Sequence, residues 1–341
     1  MRLIILGVLT ALLAPLLPGA LSSAAAAPDR PRVVSRAVTF EVENTNSTSA
    51  LCFPDEQTYD VRARLVGPRR AVAGTAGTTR INVLVHDDGA GGWFWRLPGA
   101  DAHDYAARLA RRGETTLVLD RLGYGASDRA DSSCLAAQAD VLHQVVQHLR
   151  SGVYEFVDER FVDPPAAAHV VTHGHGAGAA IAQLEAGTFD DVAGVVLMSW
   201  TDGATTQVAR QAVTDRRATC ATGADGAPVA ADAATARGLL FARAPGSVQS
   251  RATSLLSEVP CGDVLSRTTT LAAVRGAASR IEAPVLLMYG DADALTTPQA
   301  RSGQPASYAA EVTTRTFAGA GNALPLERPA QVGNAVLRWL G

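Results

Sequence analysis

Residues 169–181, HVVTHGHGAGAAI, decide the fold because they change character over a few positions. Residues 169–172 form a short run rich in apolar, β-branched side chains, which predicts a buried strand. The glycine-rich GHGAG segment at 174–178 predicts a sharp turn, and the alanine-rich residues 177–186 predict a helix. A buried strand that turns sharply into a helix is a building unit of parallel α/β sheets.

The same alternation of strand and helix continues along most of the chain. Residues 37–43 and 59–66 alternate in the manner of strands, which predicts an antiparallel entry hairpin. Further predicted strands lie at 81–85, 116–119, 192–198, 284–289 and 311–317, and further predicted helices at 101–112, 135–149 and 330–340. We therefore predict an α/β fold with a mostly parallel central sheet flanked by helices.

Residues 201–279 interrupt this rhythm. They are rich in Ala, Thr, Arg and Asp, and their patterns predict helices without a strand of the sheet. A helical insertion between two sheet strands is most simply a cap over the carboxyl ends of the strands, where ligands of open α/β sheets bind. We predict one domain from 28 to 341, with the cap insertion at about 201–279.

The first residues have the pattern of a signal peptide. Arg2 precedes an apolar run at 3–17, and small residues follow at 22–27, so we expect residues 1–27 to be removed near Ala27. The run is too short and too interrupted by proline to favour a spanning helix. We therefore predict a secreted, extracellular protein with no membrane span after cleavage.

Composition restricts the class of partner. The formal net charge is -3, with 47% hydrophobic and 18% charged residues, so no nucleic-acid partner is expected. The chain contains arginine and no lysine. We interpret this as a coding bias and give the arginines no functional weight as a group. A small-molecule or peptide ligand is the expected partner, and no cofactor is indicated.

The four cysteines, Cys52, Cys134, Cys220 and Cys261, predict two disulfides in an exported chain. Three connectivities are possible. We favour Cys52 with Cys134 and Cys220 with Cys261, because the second pair then lies inside the predicted cap. Four buried thiols are the alternative. No metal site is predicted, since no two cysteines have C-x-x-C spacing.

Short motifs occur in a characteristic order, and most of them directly follow a predicted strand. They are HDDG at 86–89, DRLGYGASD at 120–128, ADVLHQVV at 139–146, GHGAG at 174–178, GDAD at 290–293 and GAGN at 319–322. This set resembles the α/β-hydrolase superfamily and, more closely, secreted actinobacterial α/β-hydrolases. The resemblance runs from about Cys52 to the C-terminus and is weak in the cap.

The resemblance implies a degenerate catalytic triad. In that superfamily the nucleophile is the centre of G-x-S-x-G, and the acid and the histidine follow in chain order. The matching positions here are Gly176, Asp293 and Asn322. Glycine offers no nucleophile, and asparagine cannot take a proton from a hydroxyl, so hydrolysis through serine is excluded at this position. We expect the turn itself to persist, because glycine tolerates its strained backbone.

The oxyanion loop also departs from the family pattern, because Asp87 and Asp88 follow the histidine at its start. A fixed anion there would repel a developing oxyanion. The candidate acid and base groups are Asp87, Asp88, Asp293, His175 and His173. When carboxylates are crowded together, the pKa of one can be raised, so that they work as an acid and base pair. The plainer alternatives are structural histidines at 173 and 175, aspartates that cap the turn, and an acid at 293 that has lost its partner.

Three tryptophans are candidate pocket walls. Trp93 and Trp95 follow the predicted oxyanion loop, and Trp200 follows the strand at 192–198. Apolar walls of this kind suit a largely apolar ligand.

Two classes of function remain open. The first is a repurposed non-hydrolytic enzyme, a cyclase, lyase, isomerase or epimerase, that uses acid and base groups on an apolar metabolite or peptide. The second is a pseudohydrolase that binds a ligand in the old pocket. An atypical esterase or amidase that uses an unusual residue is a further alternative. Fold resemblance alone does not choose among them.

Overall fold

The computed structural model describes residues 32–77, 79–130, 132–158 and 163–341. The predicted signal peptide at 1–27 lies outside the described residues. The strands are β1 (Val33–Glu43), β2 (Thr58–Pro68), β3 (Thr79–Val85), β4 (Thr115–Leu119), β5 (Glu155–Phe156), β6 (Ala167–His175), β7 (Gly194–Met198), β8 (Gly226–Ala227), β9 (Val259–Pro260), β10 (Val285–Gly290) and β11 (Val312–Phe317). The α-helices are α1 (Arg69–Val72), α2 (Tyr105–Ala110), α3 (Ala137–Ser151), α4 (Ala177–Phe189), α5 (Gln207–Cys220), α6 (Ala233–Leu240), α7 (Gly246–Ser254), α8 (Cys261–Ala278), α9 (Pro298–Gly303), α10 (Leu324–Glu327) and α11 (Pro329–Leu340).

One nine-stranded sheet organises the chain, in the order β11-β10-β7-β6-β3-β4-β2-β1-β5. The six strands from β11 to β4 are parallel, and β2, β1 and β5 are antiparallel at one edge. This confirms the predicted α/β fold, its mostly parallel sheet and the entry hairpin of β1 with β2. The two-residue strand β5 was not predicted, because two residues carry no periodicity.

Helices cover both faces of the sheet. Successive residues of β3 enter opposite cores, with Val83 and Val85 packing in one and Leu84 in the other, as the two-residue period of a strand requires. The first core also holds α3 and α4, and the second holds α2 and α11. The parallel strands run in the same direction. The loops after β3, β6, β7 and β11 therefore lie at one edge of the sheet, the edge with the candidate site.

The helix predicted at 101–112 is divided. Asp101–His103 forms a short 3-10 helix, and α2 begins only at Tyr105. Asp104 separates the two because its backbone is extended and its side chain accepts a hydrogen bond from the Ala107 N–H at 2.7 Å. Aspartate is a favoured N-cap, and here it resets the helix start.

The segment between β7 and β10 carries the four helices α5 to α8. It also contains the antiparallel pair of β8 and β9, which the sequence did not predict. Disulfides join Cys52 to Cys134 and Cys220 to Cys261, which confirms the favoured pairing. The second joins the end of α5 to the start of α8, with Cα atoms 5.3 Å apart, so the two helices are linked covalently.

In the part of the chain that the structure describes, no helix combines the length and the apolar character needed to cross a membrane.

Candidate functional site

A cavity of about 460 Å³ lies between the carboxyl ends of the sheet strands and helices α5 and α8. Its floor includes Asp87 and Asp88 after β3, Gly176 after β6 and Ser199 after β7, together with Asn322. The structure therefore brings both predicted aspartates to one place with Gly176 and Asn322, the two positions at which the sequence predicts triad residues to be missing. A cavity at this edge is where a ligand of an open parallel sheet is expected.

Gly176 forms the sharp turn between β6 and α4. Its backbone has φ 53° and ψ -118°, a conformation that side-chain-bearing residues rarely adopt, and its N–H donates to the Met198 carbonyl at 3.1 Å. A Cβ built at this position would overlap the Asp87 carboxylate. The space that a side chain at position 176 would need is therefore filled by the side chain of Asp87.

The Asp87 carboxylate is held by two backbone N–H groups. Its Oδ1 accepts hydrogen bonds from the Ala177 N–H at 2.6 Å and from the Asp88 N–H at 2.8 Å. One donor is the residue after the nucleophile position and the other lies in the loop after β3, which is the arrangement of an oxyanion hole. From the sequence, we expected a fixed anion in this loop to repel an oxyanion. The structure shows a resident carboxylate oxygen bound by these donors.

His175 lies beside Asp87 and is nearly fully buried. Its Nε2 is 2.9 Å from the Asn322 carbonyl, so this nitrogen carries a proton that it donates. Its Nδ1 has no hydrogen-bond partner among the described residues and is 3.8 Å from Oδ2 of Asp87. The ring of Phe94 packs on the imidazole with centroids 4.4 Å apart. His175 is thus oriented with an unused ring nitrogen facing the Asp87 carboxylate.

Asp293 lies beside Asn322, the position at which the sequence predicts a missing histidine. Its Oδ1 accepts from the Leu295 N–H at 2.9 Å, its Oδ2 from the Thr296 hydroxyl at 3.0 Å, and Asn322 Nδ2 donates to it at 3.3 Å. Burial raises the pKa of Asp293. The Asn322 amide therefore satisfies the acid in place of an imidazole, but it cannot relay a proton.

Asp88 belongs to a different set of contacts from its neighbour Asp87. Its Oδ2 pairs with Arg267 of α8 at 2.9 Å, and its Oδ1 lies 3.6 Å from Arg121. Burial opposes ionisation of Asp88, but the charges of Arg267 and Arg121 hold its pKa below the ordinary value. Arg121 also pairs with Asp263 of α8 at 2.6 Å, both side chains being 1% exposed. Asp88 therefore connects the loop after β3 to α8, and its pairing with two guanidinium groups makes it a weak base.

His173 is not at the cavity, contrary to its candidacy as an acid or base. It is fully buried in β6, with its ring nitrogens 3.1 Å from the Tyr105 hydroxyl and 3.1 Å from Asn82 Oδ1. Burial lowers the pKa of His173 to about 3. It is a neutral, hydrogen-bonded residue of the core.

Of the three candidate tryptophans, Trp200 lines the cavity and Trp93 and Trp95 do not. The 3-10 helix Gly92–Trp95 turns the Trp95 ring into the core, where it contacts Tyr105 with centroids 5.4 Å apart. Trp93 packs beside this core, with its ring centroid 6.4 Å from that of Phe241. The expectation of three aromatic walls is corrected to one because this helix changes the direction of the side chains.

Sequence reasoning missed Ser199, which lies on the cavity floor. Its backbone has φ 53°, which is uncommon for a residue other than glycine, and its hydroxyl donates to the Asn322 carbonyl at 2.6 Å. The same carbonyl accepts from Nε2 of His175 at 2.9 Å. No local signal in the sequence marks Ser199, because strain and a shared acceptor are three-dimensional properties.

Sequence reasoning also gave no weight to the arginines of the cavity wall. Those that line it are Arg210, Arg216, Arg217, Arg267 and Arg275. Arg267 pairs with Asp88, whereas in the described chain the other four donate to neutral oxygens and pair with no carboxylate. The spacing of Arg210, Val213 and Arg217 along α5 was the available signal, since residues at i, i+3 and i+7 share one helix face.

Comparison with known proteins assigns the family. Residues 83–335 match the model of the alpha/beta hydrolase family. A search of curated proteins finds no significant match.

Solved structures with a similar fold include a thermophilic esterase from Thermogutta terrifontis with malate bound, at 19% identity and a TM-score of 0.60, covering 88% of this chain and 98% of that chain. An esterase from Exiguobacterium antarcticum has 15% identity and a TM-score of 0.60, covering 86% of this chain and 98% of its own. Est1E from Butyrivibrio proteoclasticus with ferulic acid bound has 16% identity and a TM-score of 0.55, covering 83% and 94%. At these identities the likeness establishes the fold alone.

Proposed function

The chain belongs to the alpha/beta hydrolase family, and from that premise we propose that it is a non-hydrolytic enzyme in which Asp87 acts as the base. The observation that carries this proposal is the Asp87 carboxylate in the oxyanion hole. A tetrahedral intermediate of acyl transfer needs these two N–H donors for its own oxyanion. While Asp87 occupies them, the usual hydrolytic route is closed.

The same contacts equip Asp87 for proton transfer. The two N–H groups fix the carboxylate through Oδ1, and Oδ2 is left for a substrate proton at the cavity floor. His175 supplies a second group at 3.8 Å, because its Nδ1 has a lone pair and no other partner among the described residues. Proton abstraction by Asp87 and return of the proton at another atom is an isomerisation, and loss of a leaving group after abstraction is an elimination.

The cavity wall favours a ligand that is apolar but carries an anionic group. Trp200, Leu240 and Leu271 provide apolar surface. Arg216 is part-buried and donates to the Val229 carbonyl at 3.1 Å, without a carboxylate partner among the described residues. A cationic side chain removed from water and paired only with neutral oxygens attracts an anion. An apolar metabolite or peptide with a carboxylate group fits both properties.

We test the proposal with a probe that reports proton abstraction alone. A base removes the C3 proton of 5-nitrobenzisoxazole, the N–O bond breaks, and a coloured nitrile phenolate forms, with neither a nucleophile nor an oxyanion hole required. We expect saturable turnover by the mature protein, a loss of about 100-fold in Asp87→Asn, and a much smaller change in Asp88→Asn. Equal turnover by the parent and Asp87→Asn would exclude Asp87 as the base.

A second candidate is ester hydrolysis by Ser199. Ser199 Oγ and His175 Nε2 both donate to the Asn322 carbonyl, and His175 Nδ1 is 3.8 Å from Oδ2 of Asp87. Hydrolysis by these groups requires the imidazole to change tautomer, so that Nδ1 donates to Asp87 and Nε2 accepts the serine proton. Covalent labelling of Ser199 by a fluorophosphonate, together with hydrolysis of 4-nitrophenyl butyrate that Ser199→Ala abolishes, would establish this candidate. Absence of both activities in the correctly folded protein would leave the ligand-binding pseudohydrolase.

Two disulfides support an extracellular location, since such bonds persist in oxidising compartments. Export with removal of residues 1–27 belongs to the same proposal. Amino-terminal sequencing of protein recovered from the culture medium tests it, with a mature start near Ala27 expected and retention of Met1 as the contrary result.

A further inference from the structure

A second cluster of ionisable side chains lies away from the cavity. His143 on α3, Glu185 on α4 and Asp191 just after α4 each offer a ligand atom, and these atoms all lie within 4.8 Å of one another. α4 begins at the turn beneath the cavity, and Glu185 lies eight residues along it, which corresponds to about 12 Å of helix. The cluster is therefore separate from the proposed catalytic groups.

Three of the four carboxylate oxygens of this cluster lack a donor among the described residues, and the fourth, Oδ2 of Asp191, accepts a hydrogen bond from Gln147 Nε2 at 2.6 Å. Glu185 is fully buried, and neither of its oxygens has a hydrogen-bond partner among the described residues. Oδ1 of Asp191 is also buried without a partner there. Burial of an unpaired carboxylate is costly, and two facing acceptors repel each other. The arrangement requires either a cation or a shared proton between the oxygens.

His143 adds an imidazole nitrogen to the two carboxylates, which makes the cluster a set of metal ligands. Its Nδ1 lies 2.8 Å from Oδ2 of Asp191, and its ring stacks on Phe189 with centroids 3.8 Å apart. The imidazole is thus oriented toward the carboxylates. The His143 side chain is 24% exposed, so an ion has a path from solvent. The carboxyl end of α4 adds a partial negative charge beside the cluster, which also favours a cation.

We propose that His143, Glu185 and Asp191 bind one divalent transition-metal ion of the Zn²⁺ class. One imidazole nitrogen and two carboxylates are a ligand set that zinc accepts, with water at a fourth position. Calcium and magnesium prefer oxygen ligands alone, so the imidazole disfavours them. The ion replaces the contact between His143 and Asp191 and connects α3, α4 and the segment that enters β7. Its role is structural and independent of Asp87.

The test uses the full mature chain after removal of metals with a chelator. Titration calorimetry with ZnCl₂ should show one site per chain, and Zn²⁺ should raise the melting temperature. Glu185→Gln and His143→Gln should each weaken binding at least tenfold. His169→Gln, which removes an exposed histidine that is not part of the cluster, should leave the affinity unchanged. No free thiols compete for the ion, because in the described chain all the cysteines are in disulfides.

Glutamine at 185 separates the two explanations, because its N–H₂ supplies the hydrogen bond that a shared proton would supply. Absence of a stoichiometric site in the parent protein would overturn the proposal and leave proton sharing as the explanation of the cluster. Equal zinc affinity in the parent, Glu185→Gln and His143→Gln would overturn it as well, since the binding would then lie elsewhere. If Glu185→Gln fails to fold, Asp191→Asn and His143→Gln provide the same comparison.

Discussion

Asp87 and Asp88 are adjacent in the chain but belong to two regions with different chemistry. Asp88 is part of a cap anchor, which we define as Asp88, Arg121, Asp263 and Arg267, and its charge is paired with two guanidinium groups. Asp87 forms no ion pair with an arginine within 4.0 Å in the described part of the chain, and two backbone N–H groups hold it on the cavity floor. Paired charges stabilise a connection, whereas an unpaired carboxylate with a free oxygen is available for chemistry.

The cap anchor should show the largest effect on stability. Arg121→Met leaves the buried carboxylates of Asp88 and Asp263 without their shared cation, and removal of one partner of a buried pair costs about 3–5 kcal/mol. Urea unfolding measures the change. Arg62→Met is the matched control, since its partner Asp60 is 40% exposed and an exposed pair contributes about 1 kcal/mol or less. Equal losses in the two variants would contradict the buried anchor.

Stability should also depend on pH through His86, which contacts Arg121 of the anchor. Burial, with a smaller contribution from the Arg121 charge, lowers the pKa of His86 to about 3. The unfolded chain binds this proton near pH 6.5, so it takes up protons that the folded chain does not as the pH falls. His86 should therefore lower the free energy of unfolding by about 2 kcal/mol between pH 6.5 and pH 5. His86→Gln should reduce that slope in urea titrations, and an unchanged slope would remove His86 as a cause.

The cavity wall should show a smaller, ligand-specific effect. Arg216→Gln should weaken decanoate binding about tenfold while leaving decanol binding unchanged, because the two probes differ in charge and share an alkyl chain. Isothermal titration of both probes measures this difference. A similar loss for both would mean that Arg216 acts through packing, and no loss for either would remove it from the ligand site.

The sequence predicted the sheet and the entry hairpin because both depend on local pattern. It predicted the disulfide pairing because Cys220 and Cys261 lie in the same predicted insertion. It also identified Gly176 and Asn322, since motif order gives positions along the chain. It could not predict that the Asp87 side chain enters the space above Gly176, which depends on a rotamer and on two backbone donors. Trp95 was placed incorrectly for a similar reason, because one short 3-10 helix redirected its ring.

Composition also could not show which arginines belong to the anchor and which line the cavity without a carboxylate partner. The chain contains arginine and no lysine, so the number of arginines gave no indication that several of them line the cavity. Only the folded arrangement separates Arg267, which pairs with Asp88, from Arg216, which has a carbonyl partner. Ser199 also could not be predicted from the sequence, because its strained backbone and its contact with Asn322 follow from the packing of two distant segments.

Asp87 is proposed to close the oxyanion hole, and this claim predicts that hydrolysis returns when Asp87 is removed from a site supplied with serine and histidine. Gly176→Ser with Asn322→His supplies a serine and a histidine at the two positions that the sequence predicts to lack them, but the new side chain at 176 meets the Asp87 carboxylate. Adding Asp87→Gly should clear both that space and the two N–H donors. Since these donors contribute about 100-fold or more, the triple variant should hydrolyse 4-nitrophenyl butyrate at least 100-fold faster than the double variant. Equal rates in the two variants would contradict the claim.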